Sequence, residues 1–573
     1  MNTRHPLLWG IVLCTMICSL VLACGELEKP SKEELPKEPA FLASTLTPEA
    51  QLVRVSMSIK GSRPSLEELN QVRKDPKNLQ SIVDKYLKSA AFGFTIREMH
   101  AQQFLIDVSP DYYPGAFPAI GPLKGMELHA LNTSLGEAAP RLVEHVVMKD
   151  KPYSEIVTTH YTLANKAVAT VWGIPYDATK GGWQLTKYKD GRPAAGVLSD
   201  GFMFTRHAST FANRNRGRAQ QMARIFLCVD YANREVDLSH GIDLSNDEAV
   251  QKAVRKNKLC NSCHQTLDPL ASFFGAHYPL RLPEQEKSYP LRQYAPEYAE
   301  LYQTSPPMFF GKPGKDLKDL GRFIAKDPRF ASCTVRRFYS HFMDIPIQKV
   351  PFDRVLHFTK IFQKNKLNAK TLIRAIVLSK DFHSLQAKSD AKEQTAKDIV
   401  GFRRANPHQL NRMFGELTGF YWETDILAQY NGTIGRVNLT TDSFFGFKIL
   451  SGGTDGYDTW FPMRTVNPTT VLLLQGLAKR AAVYVVTSDF KIAKTKRRLL
   501  RFVEPDTRSE ADIKRQLQML HQRLYGKFFE LDDKVLQSGW KLFQALSQNQ
   551  KDTKRAWSIL LATFFQDIRM LYY

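Results

Sequence analysis

Cysteine is scarce in this 573-residue chain, and so are strand patterns and the common catalytic motifs. The sequence has seven cysteines, three of them within the first 24 residues. It has no Gly-x-Ser-x-Gly elbow, no His-Glu-x-x-His and no glycine-rich phosphate loop, which argues against the usual hydrolase, metalloprotease and nucleotide-binding sites. Strand candidates are short, chiefly AAVYVVTS, and that stretch also fits the end of a helix beginning at TTVLLLQGLAKR.

The first 24 residues have the pattern of a bacterial export signal. A short basic start precedes an apolar run from Leu7 to Ala23, which ends in the lipobox-like VLAC. Cys24 is therefore predicted to carry lipid, with a single transmembrane anchor as the alternative. The polar GELEKPSKEELPKEPA that follows predicts a solvated tether. We expect a lipid-anchored protein of the cell envelope, and Gly25 favours the outer membrane, facing the periplasm or the surface.

Two of the remaining cysteines stand in the segment KLCNSCHQTLDPLA, which places Cys260, Cys263 and His264 in Cys-x-x-Cys-His order. On a helix these positions share one face, because residues three and four apart are neighbours. Cys-x-x-Cys-His is the attachment signature of c-type haem. The motif predicts one covalent haem c with His264 as an axial iron ligand, and an accidental match is the alternative. A dithiol centre would need a thioredoxin-like strand before the motif and a zinc site a matching distant pair, and the sequence has neither.

The residues around the motif predict its local structure. NDEAVQKAVRKNKLC is expected to form one helix that runs into the motif, with Asn246 as its N-cap. Pro269 is expected to end that helix one turn after His264.

A second axial ligand is less clearly marked. Met308, in the proline- and glycine-rich SPPMFFGKPG, is the favoured candidate, and an ordinary core methionine is the alternative. His277, His341 and Met343 are the other candidates, although His341 lies in an amphipathic pattern typical of a core helix.

Several segments resemble the planctomycete-type cytochrome proteins. CNSCHQTLDPLASFFGAHYPLR and GKDLKDLGRFIAKDPRFASCTVRRFYSHFMDIP, within residues 260–346, are similar to their cytochrome-c-like domain. GRPAAGVLSDGFMFTRHASTFANRNRGRAQQMARIFLC resembles the domain that precedes it there, with a turn at Arg216 and Gly217. Residues 52–93 and FRRANPHQLNRMFGELTGFYWE resemble helical modules of the same group. Two stretches depart from the pattern: MDIPIQK replaces the usual Gly-Arg ending, and ASFFGAHYPL replaces an aliphatic, Glu, Asn, Phe, Asp run.

Helical periodicity dominates the rest of the chain, and 573 residues exceed what one core usually serves. We therefore predict a mainly α, multi-domain helical protein, in which the resemblance implies an embedded cytochrome-c-like haem domain. The polar QAKSDAKEQTAKD, residues 386–398, predicts a boundary. The predicted parts are a signal peptide (1–24), a disordered tether (25–45), an N-terminal helical domain (46–190), the haem domain with its companion segment (191–390) and a C-terminal helical domain (391–573).

Cys228 and Cys333 have no role so far, because the predicted haem and lipid account for the other cysteines of the mature chain. An oxidising compartment favours their pairing, so we predict a disulfide that closes the haem domain. Cys228 is expected to end the helix RGRAQQMARIFLC, and Cys333 is expected to open the helix CTVRRFYSHFM. The alternative is two separate buried thiols.

The net charge of +22 bears on partners. In an exported protein this charge does not indicate a nucleic-acid partner. The densest basic run, KIAKTKRRLLRF, predicts a solvated basic helix face. The alternative is that it attracts anionic lipid or an acidic periplasmic redox partner. Arg206 and His207 are expected in a surface loop, and the alternative is a position near haem, where the arginine would contact a propionate. The predicted function is electron transfer in the periplasm or at the cell surface, and the alternative is a haem enzyme, a peroxidase or an oxidase, acting on a substrate that could be a polymer.

Overall fold

Helices account for 59% of the residues that the computed structural model describes, so the predicted mainly α class is confirmed. The structure describes residues 42–107, 117–207, 209, 213–233, 246–277, 288–303, 305–387, 401–428, 432–443, 445–456, 459, 461–548 and 553–573. Cys24, the tether before residue 42 and most of the predicted boundary at 386–398 lie outside these residues.

The N-terminal part is a series of capped helices. Ser65 and Glu68 form a reciprocal capping box, in which each side chain accepts a hydrogen bond from the other residue's backbone N–H. Thr47 and Ser89 cap the helices that follow them through their hydroxyl oxygens. The helices are α1 (Pro48–Lys60), α2 (Leu66–Lys74), α3 (Asn78–Tyr86), α4 (Ala90–Gln103), α5 (Leu128–Met148), α6 (Glu155–Thr158) and α7 (Lys166–Trp172).

The middle part carries the Cys-x-x-Cys-His motif on one helix, Lys258–Ala271. Arg216 and Gly217, predicted as a turn, begin the helix Arg216–Met222 instead. The helices are α8 (Gly201–Arg206), α9 (Arg216–Met222), α10 (Asp247–Lys256), α11 (Lys258–Ala271), α12 (Ala299–Tyr302), α13 (Leu317–Lys326), α14 (Pro328–Met343), α15 (Phe352–Lys364), α16 (Ala369–Val377) and α17 (Lys380–His383). Cys333 lies in the second turn of α14 rather than opening it, because Asp327 caps the helix before Pro328.

The last part is again helical. AAVYVVTS belongs to one long helix, so the strand interpretation is wrong and the helix interpretation is correct. The basic run after it is not a helix face: only Lys494–Lys496 form a short 3₁₀ turn, while Leu499 and Leu500 are fully buried. The helices are α18 (Pro407–Thr418), α19 (Pro468–Asp489), α20 (Glu510–Tyr525), α21 (Lys534–Ser547), α22 (Lys554–Phe565) and α23 (Ile568–Leu571).

One of the described helices, α19, is long and apolar enough to cross a membrane, but half of its most apolar window is buried inside the protein. The core helix of a soluble protein can have the same length, composition and burial as this helix.

Strands are few, and within the described residues they form only two-stranded antiparallel sheets. β1 (Leu42–Thr45) pairs with β6 (Ser384–Ala387), and β4 (Met308–Phe309) pairs with β5 (Lys312–Pro313). The remaining pairs are β2 (Thr162–Ala164) with β3 (Gln184–Thr186), and β7 (Glu423–Ala428) with β8 (Gly432–Asn438).

The described residues beyond Ala40 form one compact unit with a continuous apolar core from Leu52 to Leu571. Arg54 on α1 shows how distant segments are joined: its guanidinium is buried and donates to the carbonyl oxygens of Phe382 (2.9 Å), Ser384 (3.0 Å) and Gly401 (2.7 Å). These contacts lie on both sides of the predicted boundary. The limits 46–190, 191–390 and 391–573 therefore stay predictions of sequence modules inside one packed unit.

Candidate functional site

The motif helix α11 begins at a capped break in the chain. Asn257 accepts hydrogen bonds from the backbone N–H groups of Leu259 (2.9 Å) and Cys260 (3.4 Å), so it is the N-cap of α11 as well as the end of α10. The prediction of one continuous helix is therefore wrong, because the asparagine side chain competes for the N–H groups at this point. Asn246 does cap α10 as predicted.

Pro269 does not end the helix as predicted. The helix continues to Ala271 and then into a 3₁₀ turn, Ser272–Phe274. Proline lacks the N–H that would bond to the preceding turn, but Leu270 and Ala271 are almost completely buried. Burial of these apolar side chains compensates for the missing hydrogen bond.

Cys260, Cys263 and His264 lie at helical spacing on α11, and all three are half-buried. Neither cysteine forms a disulfide. Cys263 packs against the apolar core beside it.

His264 is held in one orientation by an ionic network. Its Nδ1 lies 2.8 Å from Oδ1 of Asp268, one turn further along α11. Arg216 on α9 donates to both oxygens of that carboxylate, from Nε at 2.7 Å and from Nη2 at 2.8 Å. Burial raises the pKa of Asp268, but the hydrogen bonds from Arg216 and His264 outweigh it and hold that pKa below its ordinary value. An ionised Asp268 accepts the Nδ1 proton, which leaves the lone pair of His264 on Nε2.

This arrangement fits what a covalent haem needs from the protein. The two thiols share a helix face, and Nε2 of the histidine beside them lies away from its carboxylate partner, which contacts Nδ1. A histidine that donates its other ring N–H to a carboxylate is the usual second-shell pattern of metal-bound imidazole. Within the described residues, no group of three or more His, Cys, Asp or Glu forms a conventional metal site.

The candidate second ligands lie in different surroundings. Met308 is half-buried on β4, and this strand packs against α11. The predicted loop thus contains a small hairpin, in which β4 pairs with β5. His277 is buried and stacks on Phe204 with ring centroids 4.0 Å apart. Met343 is also buried, and its sulfur accepts a hydrogen bond from Arg403 at 3.4 Å. His341 lines a separate cavity on the C-terminal half of α14.

Arg206 and His207 are not in a surface loop. Arg206 ends α8, is almost completely buried and donates from Nε to the carbonyl oxygen of Leu105 at 2.8 Å. His207 bonds through Nε2 to the carbonyl oxygen of Phe104 at 2.9 Å, and burial lowers its pKa to about 3. The prediction failed because both side chains satisfy main-chain carbonyls at the end of α4, a contact between segments far apart in sequence.

Cys228 and Cys333 form a disulfide with their α-carbons 5.4 Å apart. This is the pairing that the cysteine count predicted. Cys228 follows a π-helical segment, Ala223–Leu227, that extends α9, and it adopts a left-handed conformation with φ of 54°. The bond joins the end of that extension to α14. In sequence, Cys228 lies before the Cys-x-x-Cys-His motif and Cys333 lies after it.

A second cluster of ionisable residues has no signal in the sequence. His408 on α18 lies between two carboxylates, with Nδ1 2.9 Å from Glu98 and Nε2 3.6 Å from Asp107. Arg412 pairs with Glu98 at 2.7 Å, and Lys448 pairs with Asp107 at 2.7 Å. The cluster borders a cavity of about 280 Å³.

The charged groups in this cluster shift one another's pKa values. Burial disfavours a charged imidazole, but Glu98 and Asp107 outweigh that effect and raise the pKa of His408 to about 9. Burial also opposes ionisation of Asp107, yet Lys448 and His408 lower its pKa to about 2. Since Arg412 and Glu98 are 314 residues apart, only the fold could bring the cluster together.

Comparison of the chain with family models, curated proteins and solved structures finds no match in any of the three. The resemblance to planctomycete-type cytochrome proteins therefore stays a prediction based on the motifs themselves.

Proposed function

We propose that this protein is an exported, membrane-anchored c-type cytochrome that transfers electrons in the periplasm or at the cell surface. The observation that carries the proposal is the hydrogen bond from Nδ1 of His264 to Asp268, with Asp268 clamped in turn by Arg216. It orients the imidazole and directs the lone pair on Nε2 away from the helix's own carboxylate.

In this proposal each residue has a separate task. Cys260 and Cys263 would hold the porphyrin covalently through thioether bonds, and His264 would bind its iron. Asp268 fixes the tautomer of His264 and makes the imidazole a stronger donor. Haem, when bound, supplies a one-electron couple whose potential depends on the axial ligands, nearby charge and burial.

Met308 is the proposed sixth ligand. Support comes from the packing of β4 against α11 and from the half-buried position of the methionine. The cytochrome-c-like domain implied by the resemblance would comprise α8 to α17, and the disulfide between Cys228 and Cys333 would close it.

The membrane anchor and the partner follow from the sequence. Lipid on Cys24 would attach the protein to the membrane, and the net charge of +22 would speed encounter with an acidic redox partner.

The test is expression in a bacterial host that attaches c-type haem, followed by haem staining of a denaturing gel. Wild-type protein should stain, and Cys260→Ala with Cys263→Ala should not. Ser262→Ala is the matched control, because Ser262 is an exposed residue on the same turn of α11 and should leave the stain unchanged. Staining of the double cysteine variant at the wild-type level would refute the proposal.

A haem enzyme with an open sixth position is the second candidate. The same carboxylate on Nδ1 of His264 is compatible with it as well, because a more basic axial imidazole stabilises oxidised iron. An optical spectrum separates the two functions: methionine ligation gives a weak band at the red edge that Met308→Ala should abolish. A wild-type spectrum without that band, unchanged by Met308→Ala, would favour the enzyme.

A further inference from the structure

A large cavity of the described protein lies away from the Cys-x-x-Cys-His motif. It has a volume of about 650 Å³, and neither Cys260, Cys263 nor His264 is among its lining residues. Its walls come from α4, the segment around Cys228, the C-terminal half of α14, and residues 404–409 and 461–464. Pockets that hold small molecules have volumes of about 300–1,000 Å³, so this cavity is large enough for a ligand.

The lining of this cavity is rich in positive charge. Five arginines line it, whereas only two aspartates do. The arginines are Arg224, Arg336, Arg337, Arg404 and Arg464, and the aspartates are Asp230 and Asp344. A terminal carboxylate on Tyr573, which also lines the cavity, would offset at most one further charge. His341 adds no charge near neutral pH, because burial lowers its pKa to about 4.

Two of these arginines stabilise the walls without being neutralised. Arg337 donates from Nε to the carbonyl oxygen of Ile225 at 2.8 Å, and Arg404 donates from Nη1 to that of Met463 at 2.7 Å. A carbonyl oxygen satisfies an N–H group but leaves the charge of the guanidinium in place. These side chains therefore hold a fixed positive potential at the cavity.

Two further arginines have donors to offer a ligand. The guanidinium of Arg336 makes no hydrogen bond or ion pair with any residue that the structure describes, and it is only half-buried. Among the described residues, the guanidinium of Arg464 has one long ion pair, from Nε to Asp344 at 3.5 Å. In addition, the Nε of Arg404 is buried and has no hydrogen-bond partner among the described residues.

Part of the remaining lining is apolar, and the other part consists of uncharged Ser, Asn and Gln side chains. Phe342 and Ile345 are buried beside the cavity, and Met99, Pro346 and Phe461 complete that part of the wall. We propose that this cavity binds a small organic anion, which has a carboxylate, sulfonate or phosphate group for the arginines and an apolar body for this wall. The proposal is independent of haem, since it uses none of the motif residues.

The test is isothermal titration calorimetry of the purified full chain with three probes: naphthalene-1-sulfonate, its neutral analogue 1-naphthalenemethanol, and inorganic phosphate. The sulfonate should bind at one site per chain, and the neutral analogue should bind at least about tenfold more weakly, because charge-assisted hydrogen bonds are the strong ones. Phosphate should also bind more weakly, since it lacks the apolar body. Equal affinity of phosphate and sulfonate, or of alcohol and sulfonate, would overturn the proposal.

Variants locate the site. Arg336→Gln should weaken sulfonate binding about tenfold without loss of fold, because its guanidinium has no structural partner to lose. Arg464→Gln should weaken it in the same direction. Arg555→Gln is the matched control: Arg555 is an exposed arginine on α22 outside the cavity, and its loss should leave the affinity unchanged. Absence of sulfonate binding, or equal loss in Arg336→Gln and Arg555→Gln, would refute the site.

Discussion

His264 and His408 both contact a carboxylate, but their second ring nitrogens meet different surroundings. His264 has Asp268 on Nδ1 only, and its side chain is 24% exposed. His408 has Glu98 on Nδ1 and Asp107 near Nε2, and it is 14% exposed. One carboxylate leaves a histidine with a nitrogen for a metal, whereas two carboxylates make it a buried cation that stabilises the fold.

The two sites are also held differently. Ion pairs hold both sites, but the segment that contains His264 also lies in sequence between Cys228 and Cys333, which a disulfide joins. Stability measurements should therefore separate them.

The largest effect is expected from the disulfide. Cys228→Ala with Cys333→Ala should lower the free energy of unfolding by about 4 kcal/mol, because the bond closes a loop with a sequence separation of 105 residues. Urea unfolding would measure it, and reduction of the wild-type protein should reproduce most of the loss. An unchanged midpoint in the double variant would mean that the bond does not constrain the unfolded chain.

The next effect distinguishes the two histidines directly. His408→Gln should cost about 3 kcal/mol of unfolding free energy, because it leaves Glu98 and Asp107 without the cation between them. His264→Gln should cost less than about 1 kcal/mol, since its site is more exposed. Both variants would be compared in the Cys260→Ala, Cys263→Ala background, so that haem does not contribute. Similar losses of unfolding free energy in His408→Gln and His264→Gln would contradict the different roles given to the two histidines.

The pH dependence of stability should carry the signature of His408. Its pKa is raised to about 9 in the folded protein from 6.5, so its stabilisation is complete below pH 6.5 and is lost as the pH rises to 9. The loss would amount to about 3 kcal/mol at most. His408→Gln should flatten the stability profile between pH 6.5 and 9, and an equally steep profile in the variant would assign the slope to another group.

A smaller effect is expected at Asp268. Asp268→Asn should cost about 2 kcal/mol of stability, because Arg216 loses its carboxylate partner, and it should raise the haem reduction potential, because the imidazole of His264 becomes a weaker donor. Redox titration followed by absorbance would measure the shift. A potential equal to that of the wild type would show that Asp268 does not act through His264.

The same contrast explains what could be predicted from the sequence. Helix class, the shared face of Cys260, Cys263 and His264, and the pairing of the leftover cysteines depend on local spacing or on counting. The break at Asn257 depended on one side chain competing for two N–H groups, and the continuation past Pro269 depended on core burial. The cluster at His408 and the arginine-lined cavity combine segments hundreds of residues apart, so no local pattern could have indicated them.

Peptide mass spectrometry tests the central claim most directly. Trypsin should release LCNSCHQTLDPLASFFGAHYPLR, the peptide that contains Cys260, Cys263 and His264. If the account is correct, this peptide carries the mass of one haem after denaturation, and no other peptide does. Recovery of the peptide without haem, with two free thiols or a Cys260–Cys263 disulfide, from cells that attach haem to a control cytochrome would contradict it.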